Sequence, residues 1–318
     1  MASLAPFRLA PFFSPRPWGT RDLSPWYDYQ PPEPVGEAWL TGPQCLVETG
    51  DHQGRTLAEL AAAEPDALLG RPRCEDDYPL LVKFLFPHDK LSVQVHPDDA
   101  MARATGEARG KTECWYVLEA APGASVALGL KPGSTLAAMR QAIADNTLEA
   151  MVEQLPVTAG DMIFVDAGTV HAIGPGVVLL ETQQASDITY RLYDYGRPRE
   201  LHIERGLAAT RLHTAAGKVA PRQQGSRLRL IEQQYFTVDR IPVEPDAAYA
   251  SASDAGANRG VPHTLVALEG TALVEAAGSD PVELLPGRPV VLPACIPQYR
   301  IAASRPASVL RSQPPAPA

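Results

Sequence analysis

Short strand-like runs of apolar residues recur along most of this 318-residue chain, a pattern that indicates a β framework. They lie at residues 80–86, 92–96, 114–118, 126–130, 161–165 and 177–181. Two segments follow a period of three to four residues instead, which indicates helices. The first, 56–70, begins with Thr56 as an N-cap and ends near Gly70, and the second, 134–155, is interrupted at Asn146. The pattern predicts a mainly β protein with a few inserted helices.

The pattern changes near residue 228. From there, short apolar runs are separated by Pro, Gly and Asp, whereas the preceding segment, 214–227, is polar and basic and is typical of an exposed connection. We therefore expect a larger unit at 1–213, which contains the helices, and a smaller β unit at 228–318. Similar strings recur in the two units, which predicts two related β-sandwiches or small barrels.

Composition narrows the functional classes. The hydrophobic fraction of 45% and the charged fraction of 20% are those of a soluble globular chain. A net charge of −9 without a basic run argues against nucleic-acid binding, and the absence of a long apolar run argues against a membrane span. The four cysteines form no CxxC pair, which argues against a thiolate zinc site or a disulfide framework. We expect a cytoplasmic protein with no nucleic-acid or membrane partner.

One strand-like run carries its polar residues in an unusual arrangement. Ser92, Gln94 and His96 alternate with two valines, so a strand points all three polar side chains to one face. Glu113 and His171 follow later in the chain. An amide oxygen, two imidazoles and a carboxylate form a mixed nitrogen and oxygen ligand set that suits zinc or a similar divalent cation. Each residue alone is more typical of a solvated strand or surface position.

Several motifs resemble a known family. Residues 160–171, GDMIFVDAGTVH, resemble the second motif of the cupin superfamily, with Asp166 where that family usually has proline. Within this frame, SVQVHP at 92–97 and KTE at 111–113 resemble the short bacterial form of the type I mannose-6-phosphate isomerases. The resemblance continues through ETQQASDITYRLYDY at 181–195. Several ordered motifs in one chain are much more specific than any one of them.

The resemblance covers most of residues 15–210 and implies two cupin-type β-sandwich or jelly-roll units. It implies a carbohydrate-metabolic enzyme that interconverts mannose 6-phosphate and fructose 6-phosphate by proton transfer through an enediol intermediate, with one zinc ion per chain. The implied zinc ligands are Gln94, His96, Glu113 and His171. The implied catalytic residues are Arg191, Lys111 and Glu181, and the implied substrate-binding residues are Ser92, Lys111 and Arg191.

The sequence leaves the catalytic base and the exact function open. The base that removes the C2 proton is Glu181, Lys111, a histidine such as His88, or a metal-bound water. The alternatives to the leading function are a related metal-dependent aldose–ketose isomerase that acts on another sugar, and a sugar-binding cupin without catalysis. The sequence does not define the oligomeric state, the metal loaded in the cell or the metabolic direction.

The second β unit departs from the metal-binding pattern. Gln298 stands where His171 stands in the first unit, and Cys295 replaces the second glycine of the turn. His263 occupies the position that corresponds to Glu113, but no second histidine accompanies it. We therefore expect residues 228–312 to form a structural unit without a metal site.

Overall fold

A computed structural model of the protein describes residues 4–70, 77–253 and 260–315; Cys74 lies outside the described residues. The strands of the first half are β1 (Phe7–Arg8), β2 (Phe12–Thr20), β3 (Val35–Trp39), β4 (Leu80–Leu85), β5 (Val93–Val95), β6 (Glu113–Ala120), β7 (Ser125–Leu130), β8 (Val152–Pro156), β9 (Met162–Val165), β10 (His171–Ile173), β11 (Val177–Gln184) and β12 (Tyr190–Tyr193). Five helices accompany them in the described residues, namely α1 (Leu57–Ala63), α2 (Pro65–Leu69), α3 (Asp99–Ala104), α4 (Leu136–Ala144) and α5 (Ile203–Ala209).

The regular secondary structure in the second half of the described chain is almost entirely strand. Its strands are β13 (Gly217–Lys218), β14 (Arg222–Gln224), β15 (Arg227–Glu232), β16 (Thr237–Val243), β17 (Tyr249–Ala250), β18 (His263–Glu269), β19 (Ala272–Ala276), β20 (Val282–Leu284), β21 (Val290–Leu292), β22 (Tyr299–Ala302) and β23 (Ala307–Gln313). Short 3-10 helices occur at Leu148–Met151 and Ser251–Ser253. The predicted mainly β fold class is confirmed.

The strands form two sandwiches of antiparallel sheets. In the first, a seven-stranded sheet of order β13-β9-β6-β11-β4-β3-β2 faces a five-stranded sheet of order β12-β5-β10-β7-β8. In the second, a seven-stranded sheet of order β1-β21-β18-β23-β16-β15-β14 faces a four-stranded sheet of order β17-β22-β19-β20. The sheets remain open, so the units are sandwiches and not closed barrels.

The connection at 214–227 contributes to both sandwiches. Its strand β13 pairs with β9 of the first sandwich, and β14 pairs with β15 of the second. At the other end of the chain, β1 pairs with β21 of the second sandwich. The division at 213 and 228 stays a prediction. The connection belongs to both sandwiches, and β1, from the first predicted unit, belongs to the second sandwich.

The two seven-stranded sheets share one apolar core. Phe84 and Tyr116 of the first half belong to the same buried cluster as Phe236, Val266 and Leu310 of the second half. The opposite faces of β4 and β6 point into the first sandwich instead. Because successive residues of a strand face opposite sides of the sheet, these strands are buried on both faces.

Loss of a side chain from this shared core should therefore destabilise both halves together. Phe236 is fully buried, and Phe236→Ala is expected to lower the free energy of unfolding by about 3–5 kcal/mol. All four tryptophans lie in the first half, so tryptophan fluorescence should report this loss from the second half as a lower melting temperature. Leu273→Ala, at a residue that is 41% exposed, is the control. An unchanged tryptophan transition in Phe236→Ala would show that the halves unfold independently.

The helical predictions are confirmed in part. Thr56 caps α1 with a reciprocal bond to Glu59, and α2 ends at Gly70, as expected for 56–70. The predicted interruption at Asn146, whose φ is 58°, is confirmed, and a 3-10 helix follows at Leu148–Met151. The prediction of a helix as far as 155 was wrong from Val152 onwards. Val152–Pro156 is the strand β8, which pairs with β7. Over so short a segment the apolar pattern does not distinguish a helix from a strand. The backbone pairing with β7 makes this segment a strand.

Candidate active site

A polar cavity of about 440 Å³ lies between the two sheets of the first sandwich. The five-stranded sheet supplies Gln94 from β5 and Arg191 from β12 to its lining, and the seven-stranded sheet supplies Glu113 from β6 and Glu181 from β11. Alternate positions on β6 and β11 belong to the shared core. Strand periodicity therefore fixes these polar side chains inside the sandwich.

The register of the five-stranded sheet places three predicted site residues side by side. Gln94 is the direct cross-strand partner of His171 on one side and of Arg191 on the other. Its neighbours Val93 and Val95 are fully buried among the outer helices and strands. The polar face predicted for this strand is therefore present, since the two valines hold the opposite face in the apolar core.

Two imidazoles point a nitrogen at the same carboxylate. His96 Nε2 lies 3.6 Å from Glu113 Oε2, and His171 Nε2 lies 3.4 Å from Glu113 Oε1. The Nδ1 of His96 donates to the carbonyl oxygen of Ile188 at 2.8 Å, and the Nδ1 of His171 donates to that of Thr169 at 2.9 Å. Since a carbonyl oxygen only accepts, the proton of each ring is on Nδ1 and each Nε2 presents a lone pair.

Burial keeps both rings neutral. Burial, together with the positive charge of Lys111, lowers the pKa of His96 well below its usual range, and burial lowers the pKa of His171 to about 4. His96 Nε2 is buried and has no hydrogen-bond partner among the described residues. The ligand atoms of His96, Glu113 and His171 all lie within 4.8 Å of one another. A buried lone pair without a donor, beside a carboxylate, fits a divalent cation.

Asp166 has a local function that explains its place in the turn. Its side chain accepts hydrogen bonds from the Thr169 hydroxyl at 2.8 Å and from the Ala215 backbone N–H at 3.1 Å. Gly168, with a φ of 91°, donates its N–H to the carbonyl oxygen of His96. The turn that delivers His171 is therefore closed by side-chain hydrogen bonds at the position where the family usually has proline.

A ladder of alternating charges leads away from the two histidines. Lys111 Nζ lies 3.0 Å from Glu113 Oε2 and 3.5 Å from Glu181 Oε1, and Lys83 Nζ lies 3.8 Å from the same Glu181 oxygen and 3.4 Å from Glu37. All five side chains are at least nine-tenths buried. Burial and the nearby Glu113 raise the pKa of Glu181 to about 7, even though both lysines oppose this shift.

Lys83 and Glu37 were not among the predicted site residues. Both line the cavity, and a lysine in the centre of the apolar run LLVKFL is a signal that sequence reasoning could have used. A lysine is almost never fully buried unless it is paired. The sequence does not show the partner, because Glu37 lies on β3 and Glu181 on β11, on either side of β4.

The charge of Glu37 should make a pH-dependent contribution to stability. Although burial raises its pKa, Lys83 and Arg16 lower it to about 2, against 4.5 for an ordinary glutamate. The folded state therefore keeps the carboxylate charged at a pH where the unfolded state takes up a proton, and this contribution is lost as the pH falls below 4.5. The advantage in unfolding free energy of wild type over Glu37→Gln should shrink by about 2 kcal/mol from pH 7 to pH 3.

Urea unfolding of both proteins at the two pH values measures this change. Glu149→Gln, in which a partly exposed carboxylate is neutralised, is the matched control and should show little pH-dependent difference from wild type. If wild type exceeds Glu37→Gln in unfolding free energy by the same amount at pH 7 and at pH 3, Glu37 is not charged in the folded state as assigned.

A buried carboxylate organises the arginines on one side of the cavity. Asp194 accepts two hydrogen bonds from Arg199 at 2.6 Å each and one from Arg197 at 3.1 Å, and its Oδ2 lies 3.9 Å from Arg191 Nε. Arg191 also donates to the carbonyl oxygen of Glu200 at 2.8 Å. Arg191 and Arg199 line the cavity, as does Arg16 from β2. Three guanidinium groups therefore face this space and can attract an anion.

The second sandwich has no comparable cluster in the described residues. His263 is fully buried and its Nδ1 lies 3.1 Å from the Tyr299 hydroxyl, whereas Gln298 is exposed. The interior of this sandwich is mainly apolar and contains a buried ion pair between Arg311 and Asp239 at 2.6 Å. The expectation that residues 228–312 form a structural unit without a metal site stays a prediction. Among the described helices, none combines the length and apolar character needed to cross a membrane.

Comparison with known proteins gives consistent matches. The model of the phosphomannose isomerase type I catalytic domain matches residues 7–141. The mannose-6-phosphate isomerase of Streptococcus mutans serotype c is 42% identical over 201 residues, which cover 60% of this chain and 63% of that enzyme. The protein named Probable mannose-6-phosphate isomerase GmuF of Bacillus subtilis is 33% identical over 265 residues, which cover 77% and 82%. The crystal structure of the mannose 6-phosphate isomerase from Bacillus subtilis has a TM-score of 0.84 at 29% identity and covers 97% of this chain and 99% of its own.

Proposed function

The chain belongs to the type I mannose-6-phosphate isomerase family, whose members are aldose–ketose isomerases, and from this premise we propose that it interconverts mannose 6-phosphate and fructose 6-phosphate with one zinc ion per chain. The family and the enzyme class expected from the motifs are thereby confirmed. The substrate, the metal and the mechanism are the proposal. Its main support is the convergence of His96, Glu113 and His171 beside Gln94 at the end of a polar cavity.

The donor set fits zinc. Two neutral imidazoles and one carboxylate are common zinc ligands, and the amide of Gln94 would supply a neutral fourth donor when its oxygen faces the cluster. With one carboxylate among four ligands, the site keeps net positive charge for a sugar oxygen. The bound cation would act as a Lewis acid that polarises the carbonyl group of the open-chain sugar.

Arginines suit the anionic end of the substrate. A 6-phosphate carries two negative charges and needs donors, and Arg191, Arg199 and Arg16 face the cavity. An arginine stays protonated and can hold a phosphate or an enediolate oxygen, but it is a poor proton carrier. We therefore assign Arg191 to electrostatic stabilisation. Lys111, between two carboxylates, adds a fixed positive charge near the metal ligands.

Glu181 is the favoured base for the C2 proton. It lines the cavity and is buried, and its Oε1, which lies 3.5 Å from Lys111 Nζ and 3.8 Å from Lys83 Nζ, makes no hydrogen bond with the described residues. Lys111 is unsuited because, despite burial, the adjacent Glu113 and Glu181 raise its pKa above the usual range. His88 lies in a different surface groove, with Phe86 and Glu119. In the proposed reaction Glu181 takes the proton from C2 and returns it to C1 through an enediol.

A coupled assay tests the proposed activity. Purified protein with one equivalent of zinc should convert mannose 6-phosphate into fructose 6-phosphate, and it should act much more slowly on free mannose because the arginines then bind no phosphate. Preference for another aldose in a panel of phosphorylated and free sugars would support the alternative of a related isomerase. Saturable sugar binding without conversion of any sugar would contradict the proposal and favour a sugar-binding cupin.

A further inference from the structure

Ser92 contacts a proposed metal ligand in a way that suggests a function for its hydroxyl group. The side chain is 3% exposed and its Oγ donates to Gln94 Oε1 at 3.1 Å. Within the described part of the chain, the Ser92 hydroxyl makes its hydrogen bond with this amide. Ser92 lies one residue before β5 and Gln94 lies on it, so the two side chains share a face of the strand.

The amide of Gln94 presents its nitrogen to His171. Its Nε2 lies 3.3 Å from His171 Nε2, and since His171 Nδ1 carries the ring proton, the amide N–H donates to the lone pair of Nε2. The amide therefore presents its nitrogen to the cluster and its oxygen to Ser92. Only the oxygen of an amide coordinates a cation. Gln94 can therefore act as a ligand only when its terminal amide is rotated by half a turn.

That rotation exchanges the two amide atoms. The Nε2 group then takes the place that Oε1 occupies beside Ser92, and Ser92 must change from hydrogen-bond donor to acceptor. A hydroxyl group does both, with one O–H and two lone pairs, whereas an alanine does neither. We infer that Ser92 is a positioning residue for the proposed metal ligand Gln94: its hydroxyl bonds the amide in either orientation, and in the metal-binding orientation it accepts a hydrogen bond from the Nε2 N–H, which keeps the amide oxygen directed at the cation.

This inference rests on the proposed zinc site, and it differs from the expectation that Ser92 binds the substrate phosphate. A serine that orients a ligand acts on zinc affinity, and loss of such a partner typically costs ten- to a hundredfold in metal affinity. A serine that binds phosphate acts on the Michaelis constant of the sugar phosphate. The two functions therefore separate in measurements on one variant.

The test compares Ser92→Ala and Ser92→Thr with wild type. Zinc dissociation constants are measured by competition with a chromogenic chelator, and the cobalt-substituted proteins are compared by visible absorption. We expect Ser92→Ala to bind zinc about ten- to a hundredfold more weakly, with an altered cobalt spectrum, while Ser92→Thr, which keeps the hydroxyl, stays within a few-fold of wild type. At saturating zinc, the Michaelis constant for mannose 6-phosphate should change less than about twofold in Ser92→Ala, an amount that corresponds to less than 0.5 kcal/mol.

Thr189→Ala is the matched control, because Thr189 lines the same cavity but its hydroxyl bonds the carbonyl oxygen of Asp187; its zinc affinity should equal that of wild type. Unchanged zinc affinity in Ser92→Ala, with or without a raised Michaelis constant, would overturn the inference. A wild-type protein that binds no zinc would instead refute the proposed function. The two failures are therefore distinguishable.

Discussion

Replacing His171 with alanine is expected to abolish stoichiometric zinc binding and to lower isomerase turnover by about a thousandfold or more, since a metal that acts as a Lewis acid contributes several kcal/mol to transition-state stabilisation. His171 is fully buried and directs Nε2 to Glu113. Without the ring, the remaining donors are one imidazole, one carboxylate and one amide. Metal analysis of the purified variant and the coupled assay on mannose 6-phosphate measure the two losses.

His263→Ala is the matched control for this prediction. His263 is also a fully buried histidine on a strand, but it lies in the second sandwich beside Tyr299. Its replacement should lower the melting temperature, because a buried hydrogen bond is lost. The variant should still bind one zinc ion per chain and should turn over at the wild-type rate. A His171→Ala protein that keeps its zinc and most of its turnover would refute the assignment of the metal centre.

The cluster of His96, Glu113 and His171 was predictable because the chain constrains it locally. On a strand, the spacing of Ser92, Gln94 and His96 leaves one polar face, and the glycines before His171 fix where its strand begins. The four proposed ligands were then singled out because several ordered motifs together resemble a known family. The structure brings the two histidines and Glu113 together as expected, and it adds the backbone acceptors that set their tautomers, which no motif encodes.

The charge ladder and the shared core were not predictable in the same way. Lys83 belongs to a strand that is apolar at nearly every position, and its partners Glu37 and Glu181 come from strands that are distant in sequence. Alternation shows that both faces of β4 are apolar, but it does not show that one face packs on the second sandwich. The position of Asp194 was not predictable either, because its contacts with Arg197 and Arg199 appear only in the folded chain.

The second large effect is expected at the proposed base. Glu181→Gln keeps the size of the side chain and removes its ability to take a proton, so turnover should fall by about a hundredfold to ten-thousandfold. Zinc stoichiometry should remain that of wild type, since Glu181 is not a proposed ligand. In wild type, the base form is depleted as the pH falls below the pKa of Glu181. Burial raises that pKa above the usual range of a glutamate, so kcat/KM should fall as the pH drops below it.

The same substitution at Glu149, a partly exposed partner of Lys90, controls for the loss of a carboxylate and should leave turnover unchanged. In Glu181→Gln the acid-side fall of kcat/KM should be lost together with the rate, because the group that titrates has been removed. A variant that keeps wild-type turnover, or one that is slow but retains the same acid-side fall, would show that another group takes the C2 proton. Since Glu181 is buried between two lysines, the neutral glutamine also leaves an unbalanced positive charge, and equal melting temperatures are required before the rates are compared.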